Sequence, residues 1–399
     1  MTLMASFSVV IFWSSVGLLA YHLIGYPALL ALLIFALKPY LQRKDFTPPV
    51  SVIIPSFNEG GVIQDKVLTV LNSHYPASQV EVICTDDGST DDTLEKIRSV
   101  GDPRVILVYQ PERSGKMAAM SRGVHRAGGE FFIFTDANAM WKPDTLSNLM
   151  SNFAEPRVGC VCGRKTLIGR GSQAEENENL YWRYESWIKS QESRLGSTVA
   201  ASGELLAVRR AVYQLHDQEI INDDSQIVLE TVKKGYRVLF DPSAVTVEQG
   251  SSSMAEEFGR KSRIAAGRWQ LTGQLLKLAL NHPGFVFKFI SHKLLRLLVM
   301  PLMILAFISN LAVVISNPPA GTGIVSLIKL SPPWGQIFLI GQISLYLLAA
   351  LGAVFEYFGI RCKPVYFIYY FVGAQFATLA GLLRFSSGRQ SVLWRKVAR

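Results

Sequence analysis

Acidic residues in three short clusters are the first feature of this 399-residue chain that can do chemistry. The clusters are Asp86-Asp87, Asp136-x-Asn138 and Asn222-Asp223-Asp224. Oxygen-bearing side chains of this kind hold divalent cations, accept hydrogen bonds from a ribose or a base, or take a proton from a hydroxyl. Asp and Asn also cap helices and close turns, so the position of each cluster must decide between these roles.

The first cluster opens the stretch D-D-G-S-T-D-D, between an apolar run and a helical one. Its Ser and Asp residues suit a helix N-cap. Two adjacent acids at the carboxyl end of a strand exceed what capping needs, and a carboxylate there can accept hydrogen bonds from a base or ribose. On these residues alone both interpretations stay open.

The other two clusters have similar alternatives. Asp136 and Asn138 offer two oxygen ligands one residue apart, which suits a divalent cation that bridges a diphosphate, and the alternative is an Asx turn. Asp223 and Asp224 precede an apolar helical run, where they either favour the helix start or present a general base.

Lys116 lies in Ser114-Gly115-Lys116, which superficially resembles a phosphate-binding P-loop. That motif requires Gly five residues before the Gly-Lys pair and Ser or Thr after it, whereas Gln110 and Met117 occupy those places. A lysine at a helix start can still contact a phosphate oxygen.

Short β-rich runs alternate with helical segments after Pro48 and position these clusters. The runs are 50–55, 80–84, 104–109 and 130–135, and the helical segments include 61–73 and 115–127. Alternation of this kind predicts an α/β fold with a doubly wound parallel sheet, whose ligands bind beyond the carboxyl ends of the strands. The polar residues 56–59, 86–89 and 136–138 stand at those ends.

Long apolar stretches at 8–37 and 293–383 predict membrane spans. The first run, Phe7 to Leu37, has no Lys or Arg before it and a basic cluster after it, which predicts an uncleaved span with residues from 38 onward in the cytoplasm. We expect a membrane anchor at 1–44, a cytoplasmic catalytic domain at 45–273, an interfacial amphipathic segment at 274–292, a transmembrane region at 293–383 and a basic tail at 384–399. A bacterial inner or plasma membrane is the expected location.

Within the transmembrane region we expect two full spans, Leu294–Ile315 and about 334–357. Basic residues flank both ends of Val365–Leu383, as expected if both ends face the same side of the membrane. Its glycines and aromatics suit a re-entrant or interfacial element packed on protein. We therefore predict that this segment does not cross and that Trp394 lies near the catalytic domain. The alternative is a simple third span with an external tail, which leaves two or three spans in 293–383.

Composition excludes several classes. The net charge of +9 comes largely from basic residues that flank the apolar stretches, which favours contact with headgroups over nucleic-acid binding. Four scattered cysteines, without a companion set of His or Cys ligands, predict neither a disulfide framework nor a zinc site. The apolar segments contain almost no ionisable residues, Glu356 being an exception, which argues against a transporter.

The order of the motifs resembles that of the family 2 inverting glycosyltransferases with a GT-A-type fold. VSVIIPSFNE is followed by DDGSTDD, then GKMAAMSRG, then D-x-N and finally an acidic pair about 85 residues later. The resemblance covers residues 48–270. With the flanking spans it extends to the membrane-embedded branch that includes cellulose, hyaluronan and poly-N-acetylglucosamine synthases, and it implies a doubly wound, mostly parallel sheet with flanking transmembrane helices.

The resemblance implies roles for individual residues. Asp224 matches the general base, and Asp136 with Asn138 matches the D-x-D motif that holds Mg²⁺ or Mn²⁺. Arg263 matches the arginine over the donor diphosphate. The implied nucleotide-sugar contacts are Pro55, Asn58, Glu59, Asp86, Asp87, Lys116, Asp136 and Arg263. The implied acceptor contacts are Ser202, Gly203, Glu204 and Trp269.

Three departures from the family pattern bear on function. Asn138 replaces the second acid of D-x-D, which lowers the charge at the metal site. Asn222-Asp223 replaces Thr-Glu of the T-E-D motif. Ile264 replaces the tryptophan of Q-x-x-R-W, which stacks on the acceptor end in processive synthases, and Trp269 is five residues further along. This last departure predicts a short product.

The expected function is inverting transfer from a nucleoside diphosphate sugar, UDP-linked under this resemblance, to a saccharide or lipid-linked acceptor at the membrane. The expected partners are therefore the donor, the acceptor and the lipid bilayer, without nucleic acid. The alternatives are transfer to a lipid phosphate and a non-catalytic membrane scaffold.

Overall fold

The computed structural model describes residues 3–39, 41, 43–168, 173–214, 220–250, 254–278 and 281–388. The chain divides into two compact units. Among the described residues the helical unit comprises 3–29, 254–266 and 290–387, and the sheet unit comprises those of 30–250 and 267–289, with Gly388. Trp394, for which we predict a place near the catalytic domain, lies outside the described residues.

Strands β1 to β8 form one sheet within the described part of the sheet unit. They are β1 (Val50–Ser56), β2 (Val80–Asp87), β3 (Val105–Gln110), β4 (Phe131–Phe134), β5 (Met140–Trp141), β6 (Val158–Ile168), β7 (Leu206–Arg209) and β8 (Arg237–Gln249).

Helices α1 to α14 account for most of the remaining described residues. They are α1 (Leu3–Ala20), α2 (Tyr26–Leu37), α3 (Ile63–Leu71), α4 (Thr93–Ser99), α5 (Lys116–Arg126), α6 (Thr145–Ser151), α7 (Gln173–Arg194), α8 (Asp223–Lys233), α9 (Met254–Leu278), α10 (Pro283–Phe289), α11 (Leu295–Ile315), α12 (Gly323–Ile328), α13 (Trp334–Tyr357) and α14 (Lys363–Ser386). Single π-helical turns at Tyr21–Gly25 and Ile290–Leu294 join α1 to α2 and α10 to α11, and 3-10 turns lie at Ala77–Gln79 and Asn152–Ala154.

The sheet order β3-β2-β1-β4-β7-β6-β8-β5 combines a parallel half with a mixed half. The four strands predicted from the sequence form the parallel half, so the predicted α/β fold is confirmed. In the mixed half β7 runs antiparallel to both β4 and β6, β8 runs parallel to β6, and β5 pairs antiparallel with β8.

Helices cover both faces of the parallel half, which explains why every side chain of β1 is buried. On one face α5 approaches closely at Gly123, where a Cβ atom would lie 2.6 Å from Cγ2 of Ile53. On the other face Val52, Ile54 and Ile133 join the main apolar core. This packing fixes the carboxyl ends of β1, β2 and β4 relative to one another.

Four helical stretches are long and apolar enough to cross a membrane, as judged from length and composition over the described residues. They are Met4–Leu37, Pro283–Ile315, Trp334–Tyr357 and Lys363–Ser386. The predicted interfacial segment 274–292 is divided, because α9 ends at Leu278 and α10 begins at Pro283. Its place at the membrane interface stays a prediction.

The last candidate span, α14, is one unbroken helix of 24 residues. A re-entrant loop reverses its direction, so of the two forms predicted for 365–383 only the interfacial one agrees with this helix. Its glycines do pack on protein: a Cβ atom at Gly381 would lie 2.5 Å from Cβ of Ala265 in α9. At Gly352 of α13 a Cβ atom would lie 2.4 Å from Cβ of Tyr369.

Candidate active site

Two loops meet at the carboxyl ends of β1 and β2. The backbone N–H of Asn58 donates to Oγ of Ser89 at 2.8 Å, and Oδ1 of Asn58 accepts from the N–H of Thr90 at 2.7 Å. Asn58 has a φ of 56°, a left-handed conformation that Asn tolerates better than most residues. The N–H of Glu59 donates to Oγ1 of Thr93 at 2.8 Å. Pro55 is buried in β1, directly before this loop.

Asp86 and Asp87 are fully buried and hold backbone turns. Oδ1 of Asp86 accepts from the N–H of Ser89 at 2.9 Å, and its Oδ2 accepts from Oγ of Ser89 at 2.5 Å. Asp87 accepts from the N–H of Gly115 at 2.7 Å and from the guanidinium of Arg122 at 2.8 Å. Neither carboxylate caps the helix α4 that follows, because its N-cap residue is Asp92. A direct contact of either carboxylate with a nucleotide stays a prediction.

Lys116, which follows the turn held by Asp87, joins acids from two other elements. Its Nζ donates to Oδ1 of Asp136 at 2.8 Å and lies 3.6 Å from Oδ2 of Asp223. Burial lowers the pKa of Lys116, but the charges of Asp136, Asp223 and Glu204 raise it more, so the pKa lies above its ordinary value. The ammonium group therefore stays charged and binds these acids together.

A buried lysine supports the turn that carries Asp136 and Asn138. Lys66 of α3 is 0% exposed, and its Nζ donates to Oγ1 of Thr135 at 2.9 Å and to the carbonyl oxygen of Ala139. Burial lowers the pKa of Lys66 well below its usual range. Sequence reasoning missed this residue, because a lysine in an amphipathic helix normally faces solvent.

A second pair of residues missed by sequence reasoning lies beside Asn138. Nδ2 of Asn138 is 3.5 Å from Oε2 of Glu248 at the end of β8, a long hydrogen bond. Lys165 of β6 lies 2.7 Å from the same oxygen and 3.2 Å from Oε1 of Glu204. Oε1 of Glu248 is buried without a hydrogen-bond partner in the described residues. An acid therefore lies next to the asparagine that replaces the second acid of D-x-D.

Asp224 lies at the start of α8, where its Oδ1 accepts from the N–H of Ser225 at 2.6 Å. Burial raises the pKa of Asp224 to about 6, and the charges of Asp223 and Glu204 add to this effect. Gly203 faces the same place: a Cβ atom there would lie 3.8 Å from Cβ of Asp224 and 3.6 Å from Nζ of Lys116. The fold thus brings Lys116, Asp136, Gly203 and Asp224 together.

Residues 267–270 of α9 position the start of α8. A Cβ atom at Gly267 would lie 2.6 Å from Cγ of Asn222, the N-cap residue of α8. The N–H of Ile221 donates to Oε1 of Gln270 at 3.2 Å. Trp269 lies between these two contacts along the helix, and its indole N–H is buried without a partner in the described residues.

Two further predicted residues are Ser202, next to Gly203 in the chain, and Arg263. Oγ of Ser202 accepts from Nζ of Lys189 at 2.9 Å in a buried contact on α7. Arg263 belongs to the helical unit, and its role at the donor diphosphate stays a prediction.

The site offers few protein ligands for a metal ion. Over the described residues no group of three or more His, Cys, Asp or Glu side chains could hold one. Asp136 and Asn138 supply one carboxylate and one amide oxygen, and the contact with Glu248 turns the amide nitrogen of Asn138 away from that role. Mg²⁺ usually binds one or two carboxylates together with substrate phosphates and water, so these residues fit a cation that arrives with a diphosphate.

Similarity to known proteins agrees with this geometry. Residues 51–215 match the family described as "Glycosyl transferase family 2". An N-acetylglucosaminyltransferase of Rhizobium meliloti (strain 1021) is 26% identical over 215 residues, which cover 50% of this chain and 50% of that protein. A protein of Methanococcus voltae named dolichyl N-acetyl-alpha-D-glucosaminyl phosphate 3-beta-D-2,3-diacetamido-2,3-dideoxy-beta-D-glucuronosyltransferase is 26% identical over 226 residues, which cover 51% of this chain and 68% of that protein. The chain spans about half the length of several curated relatives that it matches.

A solved structure shares the fold over nearly the whole chain. The mannosyltransferase PcManGT from Pyrobaculum calidifontis, in complex with GDP-Man and Mn²⁺, superposes with a TM-score of 0.69 and 23% identity, and the match covers 96% of this chain and 100% of that one. At this identity the likeness establishes the GT-A-type fold. The family match identifies residues 51–215 as a family 2 glycosyl transferase domain.

Proposed function

We propose that this chain is an inverting membrane glycosyltransferase. It transfers a sugar from a nucleoside diphosphate sugar, UDP-linked by family resemblance, to a saccharide or lipid-linked acceptor. The names of the relatives support an N-acetylhexosamine or related sugar, and the four apolar helices support action at a bilayer. The basic cluster after the first apolar run favours a cytoplasmic location for the sheet unit. A short product remains our expectation from Ile264.

One observation carries this proposal. Lys116 joins Asp136, at the end of β4, to Asp223 beside the candidate base, with Gly203 directly against both Lys116 and Asp224. Gly203 has no side chain to fill the space between the ammonium group and Asp224. A substrate group can therefore approach both the ammonium group and Asp224 here without meeting a side chain at position 203.

The residues around this space suit displacement of a nucleoside diphosphate. The acceptor hydroxyl oxygen attacks the anomeric carbon, the bond from that carbon to the diphosphate oxygen breaks, and the electron pair leaves with the diphosphate. The proton of the hydroxyl passes to the carboxylate of Asp224. Attack from the face opposite the leaving group inverts an α-linked donor to a β-glycoside.

Charge stabilisation of the leaving group is the second requirement. Lys116 presents an ammonium group at the donor side, and Arg263 supplies a guanidinium in our prediction. A Mg²⁺ or Mn²⁺ ion held by Asp136 and Asn138 supplies further positive charge to the diphosphate when it is bound. Glu248 and Lys66 keep the Asp136–Asn138 turn in place from behind.

A donor screen tests the proposal. Purified protein in detergent is incubated with UDP- and GDP-linked sugars and membrane lipid extract, and both nucleotide release and product size are measured. We expect Asp224→Asn to lower release about 10²–10⁴-fold, whereas Glu230→Gln on the same helix retains activity. Absence of release from every donor would favour the scaffold alternative, and a long polymer would contradict our inference from Ile264.

A further inference from the structure

A groove lies between the second half of β6 and α7, separate from the donor loops at the ends of β1 and β2. It has a volume of about 590 Å³, within the usual range of roughly 300–1,000 Å³ for ligand pockets. Its lining residues share one property: none is an acid. The groove contains three cations, two tryptophans and several hydroxyl or amide groups, namely Arg164, Lys165, Arg183, Trp182, Trp187, Asn179, Ser186, Ser190 and Gln191.

The two arginines of the groove are free of partners among the described residues. Over the described residues the side chains of Arg164 and Arg183 make neither a hydrogen bond nor an ion pair, and Nε of Arg164 is buried. A buried guanidinium N–H without a partner is costly, because it loses its water without gaining another acceptor. Guanidinium groups are suited to bind phosphate through two parallel hydrogen bonds.

The tryptophans provide aromatic surface next to these cations, and the ammonium groups of Lys165 and Lys189 lie 5.7 and 5.5 Å from the ring centroid of Trp182. Trp187 is 40% exposed, although large aromatic side chains on a helix usually find cover. The indole of Trp182 donates to Oε1 of Glu178 at 3.3 Å, which fixes one edge of its ring. Rigid aromatic surfaces with nearby hydroxyl and amide groups suit a ligand with an apolar face and a polar rim, such as a sugar ring.

Lys165 connects the groove to the candidate active site. It lines the groove, and its Nζ forms ion pairs with Glu204 and Glu248, the acids next to Gly203 and Asn138. Those two acids neutralise Lys165, so Arg164 and Arg183 carry the net charge of the groove. The groove therefore adjoins the acids of the site through Lys165.

We propose that this groove binds the acceptor, and that the acceptor is a sugar phosphate. The sugar ring packs on Trp182 and Trp187, and the phosphate pairs with Arg164 and Arg183. The assignment of the ligand as acceptor rests on the proposed transferase function, whereas the binding of a sugar phosphate does not. Free and lipid-linked sugar phosphates share this chemistry.

Calorimetric titration of the purified protein in detergent, without nucleotide, tests the groove. The probes are N-acetylglucosamine 1-phosphate, inorganic phosphate and the neutral disaccharide diacetylchitobiose. We expect the sugar phosphate to bind at least tenfold more tightly than either of the others, because only it satisfies both the arginines and the tryptophans. Equal binding of all three probes would overturn the proposal.

A fourth probe, a polyprenyl-linked N-acetylglucosaminyl phosphate, distinguishes a lipid-linked from a soluble sugar phosphate. Tighter binding than that of the free sugar phosphate assigns a lipid-linked acceptor, and equal binding assigns a soluble one.

Substitutions of groove residues test whether the sugar phosphate binds in the groove. Arg183→Gln and Trp187→Ala should each weaken sugar-phosphate binding at least tenfold, and Trp187→Phe should restore most of it. The matched controls are Arg126→Gln, an exposed arginine on α5, and Leu180→Ala, a 52% exposed apolar residue of α7 that does not line the groove. Both groove positions are exposed enough that thermal unfolding should stay close to that of the unaltered protein. Unchanged binding in both groove variants would refute the site, and because no donor is present, this result is independent of the donor screen.

Discussion

Asp224 is half-buried and has a neighbouring acid, and these two features set the pH at which it can accept a proton. Its pKa is raised to about 6, first by burial and then by Asp223 and Glu204. A base must be deprotonated, so its activity is complete above this pH and is lost as the pH falls through about 6. We expect kcat/KM for transfer to fall about tenfold per pH unit below that point, as measured at saturating metal.

A change at Asp223 tests the cause of this raised pKa. Asp223→Asn removes the nearest like charge, so the acidic limb of the pH profile should move to lower pH while Asp224 remains available. An acidic limb that stays at about 6 in both Asp223→Asn and Glu204→Gln would show that burial, without these two charges, raises the pKa of Asp224. Glu230→Gln, later on α8, serves as the control that leaves the profile unchanged.

The Asp136–Asn138 turn leads to a prediction about metal affinity. Asp136→Ala should abolish divalent-dependent UDP binding, whereas Asn138→Asp should preserve or strengthen it, because a charged oxygen holds the cation better. Glu248→Gln should weaken Mn²⁺ binding about 10–100-fold through loss of the acid that orients Asn138. Titration followed by electron paramagnetic resonance measures all three. Weaker metal binding in Asn138→Asp would remove Asn138 as a ligand.

At the scale of elements, one glycine sets how closely α9 approaches the start of α8. A Cβ atom at Gly267 would lie 2.6–2.7 Å from the side-chain atoms of Asn222, closer than packed atoms can approach. Gly267→Ala should therefore shift the N-cap of α8 and with it Asp224. A displacement of about 1 Å at a catalytic group can cost about 10²-fold, so we expect turnover to fall by that order while nucleotide binding is retained.

The same helix supplies the control for this prediction. A Cβ atom at Gly273 would meet no atom within 4 Å, so Gly273→Ala should leave turnover unchanged and stabilise the helix by up to about 1 kcal/mol. Turnover is measured under donor saturation, and stability by thermal unfolding. Equal turnover in the two alanine variants would show that α9 does not position Asp224.

The parallel half of the sheet could be predicted from sequence, and the mixed half could not. Strands β1 to β4 are runs of β-branched and aromatic residues between turn residues, and their observed bounds differ from the predicted ones by at most three residues. In contrast β5 and β7 have two and four residues, too few for a periodic pattern. Their pairing depends on β8 and β6, far away in sequence, so only the fold reveals it.

The candidate active site, too, could be predicted only where its residues belong to local sequence motifs. Asp136, Asp224 and Lys116 belong to short motifs, and their types and spacing pointed to them. Lys66 and Glu248 lie in no such motif, and only tertiary packing brings them to the Asp136–Asn138 turn. The contacts of Asp86 and Asp87 also needed the structure, since a strand end is equally suited to bind a ribose or to hold a turn.

At the scale of the whole molecule, the side of the membrane on which the residues after α14 lie depends on whether α14 crosses it. Basic residues at both of its ends, Arg361, Lys363 and Arg384, predict that both ends face the cytoplasm. Cys362 is free and half-buried, whereas the other three cysteines are buried, so it reports one end of α14 without alteration. Neither Cys362 nor a Ser387→Cys, Cys362→Ser variant should react with an impermeant maleimide in intact cells, and both should react after permeabilisation.

The alternative topology gives a different labelling pattern. If α14 crosses the membrane, its two ends face opposite sides, so exactly one of the two cysteines reacts in intact cells. Ser391, further along the tail, lies outside the described residues, and Ser387 is the better position because it directly follows α14. Labelling of Ser387→Cys from outside would contradict the interfacial interpretation of this helix.

The pairing of β6 with β8 affects the stage of synthesis at which the chain can become active. Lys116 and Asp136 lie within the first half of the sheet, which the ribosome completes before β6 has been made. Asp224 lies on α8, between two strands whose direct pairing closes a long stretch of chain. Domains form from the N-terminus during synthesis, and long-range pairing is slow. We therefore expect a nascent chain to hold its donor-side acids before its base, so that an unfinished chain does not consume nucleotide sugar.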